Sequence, residues 1–165
     1  MSDATALRIA IALVSGMALM FARDCVTDAH AQDHLAVERC LVAEAPPGPD
    51  YPAILAVLST RSSSLEWAAL HYCALWVTHR PSARQRAIRL LPGGPSARVY
   101  ARHWRAAQEA VAAWERGERP ACHPDHFGNR LGDATRARRA GWVREDCGMT
   151  ANWFWTARVR AQEAR

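Results

Sequence analysis

The sequence predicts a mainly α (α+β) fold: a helical domain with a small C-terminal β or irregular part. Apolar residues recur at helical spacing from Leu35 to about Glu115, and Pro, Gly, Ser and Asp punctuation divides that stretch into separate helices. From Pro120 the periodicity fades into loops and short strand candidates. With 165 residues, half of them apolar, the chain is long enough for one domain with a real core.

The first feature in chain order is an apolar run from Ile9 to Ala22, too short for a comfortable membrane span. It resembles a signal peptide, with Ala29-His30-Ala31 as a small-x-small cleavage site before Gln32. Residues 1–31 are therefore expected to be a signal peptide or membrane-targeting segment, making transient membrane contact, and residues 32–165 the working domain, secreted or periplasmic. An uncleaved anchor and a buried first helix are the alternatives. Of five cysteines only Cys25 precedes the expected cut, and the even remainder, Cys40, Cys73, Cys122 and Cys147, suits an oxidising compartment. Four cysteines allow three pairings. Cys40 with Cys73 and Cys122 with Cys147 is expected, joining two neighbouring helices and stapling the irregular C-terminal part; free buried thiols are the alternative.

The first helix of the domain is expected over Leu35 to Ala45, stopped by Pro46 and Pro47. At 100° per residue Val37, Cys40, Leu41 and Glu44 share one side, so a carboxyl lies in the last turn of a core-directed face. The carbonyl-rich helix end and partial burial both favour the protonated carboxyl, which a general acid needs. The plainer reading is a solvated glutamate at a frayed helix end.

Asp50 is expected to cap a second helix running to about Arg61, with Ile54, Leu55, Val57 and Leu58 as its apolar positions. Ser63 and Glu66 have capping-box spacing before a third helix, in which Leu65, Trp67, Leu70, Tyr72, Cys73, Trp76 and Val77 predict deep burial. A short helix from Ser82 to Leu91 ends at Pro92-Gly93-Gly94, and Ser96 then opens a long helix that stops at Gly117. Beyond Pro120, Val143 and Trp153 to Trp155 are the best strand candidates, around a Cys147-Gly148 turn.

The formal charge is +5 and all 21 basic residues are arginine, a balance that suits polyanionic partners such as nucleic acid, anionic lipid or envelope polymers. The series Arg84, Arg86, Arg89, Arg98, Arg102 and Arg105 lacks an aromatic platform on the same face, so it reads as a solvated helical surface and no nucleic-acid partner is expected.

The line LAVERCLVAEAPPGPDYPAILAVLSTR resembles the opening of the spore-cortex-lytic enzyme and cell-wall hydrolase family. There, a helix ending in Glu-(Ala/Ser) precedes a turn and a second helix that closes on arginine. Glu44 falls on the family's catalytic glutamate, His126-Phe127 resembles its His-(Tyr/Phe) pair, and Asn152-Trp153-Phe154-Trp155 sits where its Gly-Asn-His-x-Phe-Tyr segment ends. Pro46-Pro47 replaces a family glycine, and Asn152 takes the histidine position. The resemblance implies a lysozyme-like fold and cleavage of the bond between N-acetylmuramic acid and N-acetylglucosamine in peptidoglycan glycan strands. Separately, no cofactor and no metal are expected, and the protein is expected to be a monomer.

Cleavage by two carboxylates needs a partner for the acid, about 5 Å away for retention and farther for inversion. Glu38 is about 120° around the helix from Glu44, and Asp50 lies beyond the prolines; spacing places neither. A lytic transglycosylase needs one carboxyl, which protonates the glycosidic oxygen and then takes the proton of the muramic C6 hydroxyl as a 1,6-anhydro ring closes. Tyr72 is a candidate to orient that carboxyl or stabilise oxocarbenium charge, and His126 and Asn152 to hydrogen-bond sugar N-acetyl or hydroxyl groups. Their plainer roles are a buried tyrosine and loop stabilisation. Trp142, Trp153 and Trp155 are candidate stacking faces. Two rivals remain: a metal at Cys122-His123-Pro124-Asp125-His126, whose spacing is weak for zinc, and an exported, disulfide-stapled envelope-binding module without catalysis.

Overall fold

In the computed structural model the described residues are 34–128, 133–148 and 152–157. The leader reading therefore lies outside the described residues; among those described, no helix is long and apolar enough to cross a membrane. The chain divides into two units, Met1–Leu35 and Ala36–Arg165, and the buried core and the sheet belong to the second.

Helix α1 covers residues 34–44 and ends ahead of the prolines, as expected. Val37, Cys40, Leu41 and Val42 are buried along it. Helix α2 (Asp50–Arg61) is the centre of the core: Ala53 to Leu58 are all buried, as for a helix surrounded by other elements, and α2 touches α3 (Leu65–Tyr72), α6 (Ala97–Glu115) and β1 (His126–Gly128). Asp50 does not cap α2. Pro49 holds the cap position, and the Asp50 carboxylate, in the first turn and 2% exposed, accepts from Asn152 instead.

The third predicted helix differs in three ways. Its cap is Ser64, whose Oγ accepts from Trp67 N, rather than Ser63. It breaks at Cys73, whose backbone is extended, into α3 and a single turn α4 (Ala74–Val77). Its ring-bearing face is not deeply buried, since Ala68, Ala69, Cys73 and Leu75 fill the core while Trp67, Leu70, Tyr72 and Val77 are exposed. The outer rings pack on one another instead: Trp67 stacks on His71, meets Tyr72 edge-on, and Arg61 lies over Tyr72.

Helix α5 (Ala83–Arg89) starts with a complete capping box between Ser82 and Gln85. Arg39 of α1 donates to Leu91 O and Arg89 to Leu75 O, so two guanidinium groups tie this region to its neighbours. Helix α6 packs on α2 through Trp104, Ala107 and Val111, spaced three and four apart. Arg84, Arg86, Arg98, Arg102 and Arg105 are exposed, as a solvated face requires.

The C-terminal part is a three-stranded antiparallel sheet in the order β1-β3-β2, with β2 at Val143–Glu145 and β3 at Trp153–Thr156. His126 pairs with Trp155 and Arg144 with the same residue from the other side. A helix that periodicity does not reveal, α7 (Asp133–Arg139), precedes β2; only Ala137 along it is buried. The molecule is thus mainly α with a small C-terminal sheet.

Cys122 and Cys147 form the expected disulfide, with Cα atoms 5.2 Å apart. It joins the approach to β1 to the turn after β2 across 25 residues of chain. Cys40 and Cys73 do not form the other. Both are buried free thiols, and the Cys73 thiol donates to Glu44 Oε1.

Glu38, on α1, is 7% exposed, and burial pushes its carboxyl up to about 7 against the opposing pull of Arg39. A value above the ordinary 4.5 means that the folded state prefers the protonated form, so its contribution is intact below 4.5 and is lost as pH rises through about 7. Glu38→Gln is therefore expected to leave the unfolding temperature nearly unchanged at pH 4. At pH 8 it should stabilise the fold by roughly 1–2 kcal/mol after allowing for solvent screening, read by thermal melts at both pH values.

Candidate active site

Glu44 ends α1 beside a cavity of about 660 Å³. The wall is built from the end of α1, Val57, Leu58 and Arg61 of α2, the α3–α4 break, the sheet and α7. All four residues singled out for chemistry line it: Glu44, Tyr72, His126 and Asn152. They are brought together from positions up to 108 residues apart in sequence.

The carboxyl is held by one oxygen. Glu44 Oε1 accepts from Ala74 N at 2.9 Å and from the Cys73 thiol at 3.2 Å. Among the described residues no donor reaches Oε2. The break at Cys73 thus has a structural reason: it frees the first N–H groups of α4, and one of them is used on Glu44. Two donors on Oε1 fix the plane of the carboxyl.

Asn152 is positioned by a carboxylate that spacing alone does not place. Its backbone N and Nδ2 donate to Asp50 Oδ2 at 2.8 and 2.9 Å, and Nδ2 also donates to Glu44 O at 3.2 Å. Asp50, Asn152 and Glu44 form one network, in which the start of α2 grips the segment before β3 and ties it to the end of α1. Tyr51, beside Asp50, donates its hydroxyl to Ala45 O and is 1% exposed, bracing the turn between α1 and α2.

His126 lies flat on Trp142, with ring centroids 3.7 Å apart, and both rings line the cavity. Trp155 lines it too but is 4% exposed, while Trp153 faces a second depression with Arg144 over its ring. Of the three candidate stacking tryptophans, Trp142 and Trp155 are therefore on the cavity and Trp153 is not. Tyr72 is 52% exposed, which rules out the buried, backbone-satisfied alternative for it.

Three charged residues on the wall go beyond the sequence-based expectation: Arg61, Asp133 and Arg136. Asp133 packs so closely on Gly128 that a Cβ there would lie 2.1 Å from Asp133 Oδ2, so glycine at 128 is what lets this carboxyl approach the sheet. The signal in the sequence is slight, a Gly-Asp step into a short arginine-rich helix.

The metal reading of residues 122–126 finds no support in the geometry. Cys122 is in the disulfide, His123 is exposed, and Asp125 accepts from Thr156 Oγ1 and Ala157 N, fastening β3. A different trio does converge. The ligand atoms of Cys40, Glu44 and Cys73 all lie within 4.8 Å of one another.

No family model matches the chain, and no curated protein or solved structure matches it either.

Proposed function

We propose that the protein is a peptidoglycan-cleaving enzyme that breaks the bond between N-acetylmuramic acid and N-acetylglucosamine, with Glu44 as the acid and then the base. The supporting observation is the convergence of Glu44, Tyr72, His126 and Asn152 on one cavity of sugar-binding size. The resemblance of the residues around Glu44 to the cell-wall hydrolase family points the same way, and a lysozyme-like relationship is part of this proposal.

In the proposed reaction Oε2 of Glu44 carries the proton, and the glycosidic oxygen receives it as the C1–O bond breaks. Oε1 stays bonded to Ala74 N and the Cys73 thiol, holding the carboxyl in place. The muramic C6 hydroxyl then attacks C1 and gives its proton to the Glu44 carboxylate, restoring the acid and leaving a 1,6-anhydro end. The rings of Trp142 and His126 offer a stacked face for a sugar, and Tyr72 offers a hydroxyl at the rim.

Asp133 on the same wall favours a second route, in which its carboxylate activates water and the product is a reducing end. The two routes respond differently to one substitution. Asp133→Asn is expected to lower cleavage by less than about tenfold in the anhydro route, whereas loss of a general base costs about 10²- to 10⁴-fold; initial rates on solubilised glycan strands distinguish them.

The enzyme reading is tested by incubating the protein with purified peptidoglycan and assaying both phases. Release of soluble muropeptides is expected. Co-sedimentation with the wall and no release would instead make the protein an exported envelope-binding module.

A further inference from the structure

We infer that Cys40, Cys73 and Glu44 form a binding site for one zinc-like divalent cation, and that occupancy takes the Glu44 carboxyl out of glycan cleavage. The second half rests on the reading of Glu44 as the acid; the first does not.

The geometry comes from two rigid elements. Cys40 and Glu44 stand one helical turn apart on α1, and Cys73 sits at the α3–α4 break. A tetrahedral zinc with Zn–S near 2.3 Å and Zn–O near 2.1 Å needs ligand atoms about 3.5–3.8 Å apart. The three donor atoms are already within 4.8 Å of one another, and Cys73 Sγ is 3.2 Å from Glu44 Oε1. Closing the triangle requires side-chain adjustment rather than a change of fold.

The donor chemistry selects the ion. Two sulfurs and one carboxylate oxygen suit zinc or cobalt and do not suit magnesium or calcium, which take oxygen donors. Cys40 and Cys73 are 0% and 1% exposed and neither is in a disulfide, so both sulfurs are available as ligands. Binding one cation releases one proton from each thiol, and a third where the Glu44 carboxyl carries one, giving a bis-thiolate, mono-carboxylate complex. Cys73 and Glu44 also line the cavity, so the fourth coordination position opens toward it and can hold water. The same oxygen network that holds Glu44 for sugar chemistry is replaced by a metal bond, because the Cys73 proton that bonds Oε1 is lost on binding.

The test uses the full chain carrying Cys25→Ser, so that Cys40 and Cys73 are the only free thiols, confirmed by a thiol count in denaturant. Cobalt is titrated into the protein and followed by its thiolate charge-transfer and tetrahedral ligand-field absorption. One equivalent is expected to bind with both signatures, to be displaced by zinc, and to lose its charge-transfer band by about half in Cys73→Ser. Glu44→Gln, which keeps both thiols and perturbs the core least, is expected to retain the band and bind at least about tenfold more weakly. A folded protein with two counted thiols and no charge-transfer band would overturn the site, as would a spectrum unchanged in Cys40→Ser and Cys73→Ser, or a count of no thiols because the two had formed a disulfide. In parallel, muropeptide release is measured in chelator and in excess zinc. Activity in chelator that falls at least tenfold with zinc supports the switch, and equal activity with zinc bound overturns it. Zinc binding with no release under either condition would sink the glycan-cleavage reading and leave the metal site standing.

Discussion

Glu44→Gln is expected to reduce muropeptide release by about 10²- to 10⁴-fold while the protein stays folded, with its unfolding temperature close to that of the parent. The substitution isolates proton transfer from architecture. The amide oxygen of glutamine can still accept from Ala74 N, as Oε1 does now at 2.9 Å, so the end of α1 and the start of α4 remain joined. What disappears is the proposed acid at the end of α1, and with it the proton that the proposed reaction gives to a glycosidic oxygen and takes back. Because the other cavity-lining residues, Tyr72, His126, Trp142 and Asn152, are untouched, glycan binding should survive, and the loss should fall on kcat rather than on KM. Release unchanged in this variant would remove Glu44 from the chemistry.

Asp50→Ala is the second large effect, and it acts on stability first. Asp50 Oδ2 accepts from both the backbone N and Nδ2 of Asn152 in a setting where the aspartate is 2% exposed. A hydrogen bond to a charged group contributes about 1.5–3 kcal/mol, and here two share one acceptor, so a combined loss of roughly 2–4 kcal/mol is expected. The cavity suffers as well. Asn152 also bonds Glu44 O, and a loosened Asn152 releases one wall of the site, so KM for glycan should rise in whatever fraction remains folded. Asp50→Asn keeps an acceptor of the same shape and should lose less than half as much stability, measured by denaturant unfolding. Equal and small losses in both variants would show that Asp50 does not hold the C-terminal segment.

How far the sequence reveals this site can be judged from particular residues. Glu44 is legible because its position follows from local rules: an apolar face of Val37, Cys40 and Leu41 sets the rotation of the helix, and Pro46-Pro47 fixes where it stops. The long helix ending near Glu115 and the strand at Trp153 are legible for the same reason. The break at Cys73 is not, because no glycine or proline marks it. It is made by tertiary contact, where an N–H of the next turn bonds Glu44 instead of continuing a longer helix. That break also explains why the aromatic positions of α3 mislead: Trp67 and Tyr72 have the spacing of core residues, but small residues, Ala68 and Ala69, occupy the buried face and the rings cover one another outside.

Asp50 and Asp133 escape a reading of the sequence for a shared physical reason. Each stands in the first turn of a helix, where an acidic residue is favourable in any protein, so the sequence pattern offers nothing to separate a dipole partner from a carboxylate with a distant task. Only the folded chain shows Asp50 gripping Asn152 and Asp133 leaning on Gly128. The cysteines divide in the same way. Cys122 and Cys147 flank an irregular segment that gains order from a staple, whereas Cys40 and Cys73 are both buried beside a carboxyl that one of them already bonds.

The central claim, that one carboxyl serves as acid and then as base, is tested most directly by mass spectrometry of the muropeptides released in heavy-oxygen water. The expected products are 1,6-anhydro ends that carry no solvent oxygen, from the parent protein and not from Glu44→Gln. Reducing ends labelled by the solvent would contradict it, and would assign the water-activating role to a second carboxylate on the cavity wall.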